Sequence, residues 1–143
     1  MSVRDERGQT AVLLVGFVLV ALLLVVVVVD ASAAYLRRQG LDNVADGAAL
    51  AAADGIAGRQ VYEEGLGERA RIDPELARAL VAEHLGAVAA ARRYPGLSWS
   101  VRVSGDRVVV HVAAPLRLPL GVPGVDAAPT ITASAASYVA VSQ

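Results

Sequence analysis

His84 and His111 are the only histidines in a chain of 143 residues that contains no cysteine. Imidazole is the side chain best suited to moving a proton near neutral pH, so what stands beside each histidine decides whether it can do chemistry. Two alternating stretches flank Gly105-Asp106, and the hairpin they predict sets His111 opposite Ser100 on its polar face. A Ser-His pair needs an orienting acid and an oxyanion hole, and neither is recognisable here. Nucleophile elbow, phosphate loop and metal-ligand spacing are all missing. Asp42 and Asp46 stand four apart on one helical face, but two carboxylates make a poor site for Ca²⁺, which takes ~6 to 8 oxygens. They read as a solvated face or as paired with Arg38. Glu63 and Glu64 read as loop carboxylates in water. Asp30 stands apart because it ends a long uncharged run, where a carboxylate either meets a partner's cation or lies in the headgroup layer. No enzymatic activity, metal or cofactor is expected.

The run that Asp30 closes, Ala11 to Val29, organises the chain. It is nineteen residues without a charge, six of them Leu, nine Val and one Phe. Those side chains contribute ~0.3 to 0.6 kcal/mol each, or roughly 5 to 10 kcal/mol in favour of a bilayer. At ~1.5 Å per residue the run is ~28 Å long, matching a hydrocarbon core of ~30 Å. It reads as a membrane anchor. A secretory signal peptide is the rival, since Ala31-Ser32-Ala33 supplies an A-x-A site. Against it, the run exceeds the usual apolar core of ~7 to 15 residues, and Arg4, Asp5, Glu6 and Arg7 cancel in charge.

The remaining length allows one small domain. A net charge of −1 and a pI of about 6.1 give no basic surface for nucleic acid. All thirteen cationic residues are Arg, and Arg37 and Arg38 beyond the anchor nearly balance Arg4 and Arg7, so charge leaves the orientation open.

Beyond Asp30 the helical pattern continues through an Ala-rich stretch, with Leu36, Leu41, Val44, Ala48 and Ala52 as an apolar stripe ending near Ala57. Gly40 is the expected kink. Gly47, Ala51 and Gly55 repeat every fourth position and leave one face nearly bare, for packing on the protein's own sheet or on another subunit's helix. Gly58 to Arg71 reads as a loop. Asp73, Pro74 and Glu75 then start a second helix as N-cap, first position and first-turn acid, with Leu76, Leu80, Val81, Leu85 and Val88 as its apolar face and an end near Arg92 to Gly96.

From Leu97 the period becomes two. The hairpin register pairs Val103 with Val108, Val101 with Val110 and Trp99 with Val112, all on one face. Leu116, Leu118 and Leu120 keep that parity, although Pro115 and Pro119 confine such an extension to an edge. A Gly/Pro loop leads to a last strand over Thr130 to Val141. The expected fold is α+β: a long anchor-and-stalk helix plus a second helix on one face of a small antiparallel sheet of three to four strands. The expected division is a short polar tail (1–10), a transmembrane helix (11–29), a helical stalk (30–57) and a head (58–143).

The run Arg7-Gly8-Gln9-Thr10-Ala11-Val12, the anchor, Val29-Asp30 followed by Tyr35, and Leu41 to Ala51 (LDNVADGAALA) resemble the N-terminal region of TadE/TadG-like proteins of the Tad (Flp) pilus system. The resemblance covers about residues 6 to 53. It implies a single-pass envelope protein with the tail cytoplasmic and the head outside. Its implied partners are the lipid bilayer and other pilus or secretion-system membrane proteins, including a second copy of itself, with no catalysis and no cofactor. On that resemblance, Asp30, Tyr35, Asn43, Asp46, Gly47, Ala51 and Gly55 are the expected assembly and helix-packing residues. Cleaved pilins resemble a pattern with Glu five residues after the cut glycine. Leu13 stands there relative to Gly8, so the chain looks like the uncut TadG type with a small head. Val44 and Gly47 replace the more usual Ala, and Ser32 a frequent Gly.

Overall fold

The structure, a computed structural model, describes residues 6–63, 72–120 and 129–139. Helix α1 spans Glu6–Glu63 without a break. It is continuous through Gly40 and extends six residues beyond Ala57. Gly58 was expected to open a loop, but one glycine costs a helix only ~1 kcal/mol and does not stop it when its neighbours are good helix formers. The rest of that expected loop, residues 64–71, lies outside the described residues.

Two compact units divide the described chain: α1 up to Tyr35 with Arg117 to Leu120, and α1 from Leu36 onward with all the remaining elements. In the second unit α1 buries Leu41, Val44, Ala45, Ala48, Ala49, Ala52, Ala53 and Ile56. The spacing alternates between three and one, which is one face of a 3.6-residue period. Five of those eight side chains are methyl groups, so neighbouring backbones can approach closely. Leu36, expected in this stripe, is instead exposed.

Helix α2, Pro74–Ala87, starts as its sequence predicts. Asp73 is extended at its φ and ψ, and its Oδ1 accepts the Glu75 N–H at 2.9 Å. Ala77, Val81 and Leu85 are buried, with Leu76 and Leu80 half-buried beside them. The helix stops earlier than expected because Ala89 adopts φ 51, a left-handed conformation, and a short helix α3 follows over Ala90–Arg93. The Val88 and Ala89 N–H groups donate to the His84 and Gly86 carbonyls, which satisfies the helix end.

Strands β1 (Ser98–Ser104), β2 (Arg107–Pro115) and β3 (Thr130–Tyr138) form one antiparallel sheet with β2 in the centre. The hairpin register is the expected one: Trp99 faces Val112, Val101 faces Val110 and Val103 faces Val108. Gly105, at φ 63, supplies the left-handed turn position. β2 ends at Pro115, whose ring cannot donate to the ladder. The Leu116 N–H donates instead to the Pro129 carbonyl at 2.7 Å. β3 ends at Tyr138, and the Val139 N–H donates to the Asp106 carbonyl at 2.8 Å. Val108, Val110, Val112, Ala114, Ala133 and Ala135 join the α1 and α2 residues in one hydrophobic cluster. The opposite sheet face, with Ser98, Ser100, Arg102, Thr132 and Ser134, is exposed. The fold is α+β: a long N-terminal helix, a second helix and a three-stranded antiparallel sheet.

Candidate functional site

Three surfaces can bear function, and the first is the apolar run. No residue from Ala11 to Val29 is buried, and apart from the half-buried Val26 the side chains stand exposed, Val12 at 74% and Val29 at 41%. The most apolar 18-residue window reaches a mean hydropathy of 3.6 with none of it covered by protein. In water such a surface is untenable on a folded protein, whereas in lipid it is the expected one. Ser32 near its end hides its hydroxyl by donating to the Val28 carbonyl at 2.7 Å. Asp30 is only 7% exposed, and its Oδ1 accepts the Leu120 N–H at 3.1 Å. That partner is separated from it by ninety positions, and no local pattern could have announced it.

The second surface is the helix around Leu41 to Ala51, which carries the other expected assembly residues. Tyr35 is 67% exposed, and Asn43 and Asp46 are also exposed. Gly47, Ala51 and Gly55 are half-buried on a flank of α1 that meets the chain's own second helix. A Cβ at Gly47 would come within 2.9 Å of His84 Nε2, and one at Gly55 within 2.8 Å of Leu80 Cδ1. One at Gly40 would strike the hydroxyl of Tyr94, a buried ring just beyond α3. Three glycines thus receive three bulky side chains in an antiparallel seam. The sequence signal was the glycine spacing, but the spacing does not say whose side chains fill it. Beside Gly40, the Arg37 guanidinium lies over the Tyr94 ring at 5.6 Å, and its buried Nε has no hydrogen-bond partner.

The third is an open groove of about 700 Å³ that includes Arg38, Asp42, Ser100, His111 and Ser134. His111 on the central strand stands opposite Ser100 on one side and Ser134 on the other, so the expected Ser-His juxtaposition is present with a second serine that the sequence reading missed. Both serines are exposed. Among the described residues no three His, Asp or Glu side chains gather closely enough to hold a metal ion. The groove can donate and accept hydrogen bonds, and it has no assembled nucleophile.

A helix suited to lipid over one stretch and built into a small α+β unit over another marks a membrane-associated protein. Residues 8–55 match the family model described as putative Flp pilus-assembly TadE/G-like. That is about a third of the chain, covering the apolar run, Asp30 and all of the glycine flank, and the match supports involvement in Flp pilus assembly. Neither the curated proteins nor the solved structures contain a match to the chain.

Proposed function

We propose that this protein is a single-pass membrane component of an Flp-type pilus or a related secretion apparatus, and that it works through protein–protein contacts without catalysis. The observation that carries this reading is a helix whose apolar stretch has no protein cover, within a segment that matches a pilus-assembly family. Residues 1–10 form the cytoplasmic tail, 11–29 the membrane span, 30–57 the stalk and 58–143 an extracytoplasmic head. Tyr35, Asn43 and Asp46, all exposed, present the polar contacts to other envelope components or to a second copy. Gly47, Ala51 and Gly55 let α1 and α2 approach closely enough to hold that surface rigid.

Membrane fractionation with protease protection tests the reading. The expected result is a full-length chain that stays with the membrane through a carbonate wash, its head digested only from the outer side. Release by the wash, or digestion only from the cytoplasmic side, refutes it. Intact mass addresses release of a soluble binding domain by cleavage after Ala33: that product would begin at Ala34, whereas the proposal requires a mass that includes the span.

A further inference from the structure

We infer that Arg117 to Leu120 forms a second lipid contact, a short apolar finger that dips into the bilayer interface and is held at that depth by Asp30. The inference rests on the membrane reading of residues 11–29. Asp30 immediately follows the last apolar residue of the run, which fixes it at the boundary between hydrocarbon and headgroups. The Leu120 N–H donates to Asp30 Oδ1 at 3.1 Å, so the Leu120 backbone sits at the same boundary. Leu118 is two residues away, at most ~7 Å along an extended chain, within the ~5 to 10 Å depth that interfacial apolar groups reach.

The chemistry of the finger fits that layer. Leu118 and Leu120 are exposed large apolar side chains, at 36% and 54%. Between them Pro119 has no N–H to desolvate, and the N–H of Leu120 is already satisfied by the carboxylate. Entering a water-poor layer therefore strands few backbone donors. Arg117 is exposed next to them, long enough to extend its guanidinium to lipid phosphates while its stem follows the leucines. Asp30 acquires a role distinct from pairing with a partner's cation: it is the clasp that ties Arg117 to Leu120 to the emerging helix.

The chain has no cysteine, so single cysteines can report depth without background. Leu118→Cys, Leu120→Cys, Leu19→Cys and Ser104→Cys are each labelled with a polarity-sensitive fluorophore. The full chain is then reconstituted into phosphatidylethanolamine–phosphatidylglycerol vesicles containing a lipid brominated near the top of its acyl chains. Unchanged Trp99 emission verifies that each head is folded. The expected result is blue-shifted emission and about threefold or stronger quenching at positions 118 and 120 relative to Ser104→Cys. Adding Asp30→Ala returns both labels toward the Ser104→Cys level while Leu19→Cys stays in lipid. If labels 118 and 120 read as aqueous while Leu19→Cys reads as buried in lipid, the finger is refuted and the anchor stands. If Leu19→Cys is also aqueous, the anchor reading fails and takes the finger with it. Labels that remain in lipid after Asp30→Ala refute the clasp.

Discussion

Ala11 to Val29 and Leu41 to Ile56 belong to one unbroken helix, yet they solve opposite problems. The first stretch is Val and Leu on every side, with no face covered. In the second alanine is the commonest residue, and the buried positions follow a single face with helical periodicity. Side-chain size shows the contrast most clearly. Where the surroundings are fluid chains, bulk is useful on all sides and no position is singled out. Where the surroundings are another helix and a sheet, small residues win because each ångström of approach brings many atoms into contact. Hydrophobicity alone does not distinguish the two; the angular distribution of bulk does.

The comparison can be broken most severely by charging the first stretch. Each Arg near the centre of a span costs ~2.5 to 3.5 kcal/mol, against roughly 5 to 10 for the whole run. Leu19→Arg combined with Leu23→Arg should therefore abolish membrane retention in a fractionation assay, whereas Leu50→Arg, at a side chain 55% exposed, should leave it intact. Next in size is Leu41→Ala. The side chain is fully buried, so the loss should be ~2 to 5 kcal/mol of head stability, followed by Trp99 fluorescence during chemical unfolding in detergent. Leu22→Ala, 59% exposed, should not move that transition.

A smaller effect sharpens the point about approach. Gly40→Ala gains ~1 kcal/mol of helix propensity but collides with the Tyr94 hydroxyl, and overpacking costs ~1 to 3 kcal/mol, so the net should be a loss of about 1 kcal/mol. Tyr94→Phe removes the colliding oxygen, and the double variant should unfold later than Gly40→Ala alone. Least affected should be Leu36→Ala, which changes an exposed residue and should shift unfolding by no more than ~0.5 kcal/mol.

The sequence made legible whatever is set by near neighbours. Alternation around Gly105-Asp106 was enough to give the hairpin register, pair by pair, and with it the position of His111. Asp73-Pro74-Glu75 was enough to start α2. The limits of the elements were less legible: α1 runs past Gly58 because one glycine costs too little to stop a helix, and the chain after α2 turns at Ala89, a left-handed position that no propensity flags. Of the candidate site, the spacing of Gly47, Ala51 and Gly55 announced a close approach but not that His84 and Leu80 would make it. The bond between Asp30 and Leu120 was invisible, since nothing in either local pattern refers to the other.

Three hollows at Gly40, Gly47 and Gly55 receive three protrusions from the returning chain, at Tyr94, His84 and Leu80. Such a fit is keyed like a toothed rack. Sliding the partners by one turn, ~5.4 Å, would drive a ring or a branched chain onto a filled position instead of a vacant one. The returning chain consequently has one register against α1 between Gly40 and Gly55, and a one-turn shift in either direction is blocked by side chains already in place.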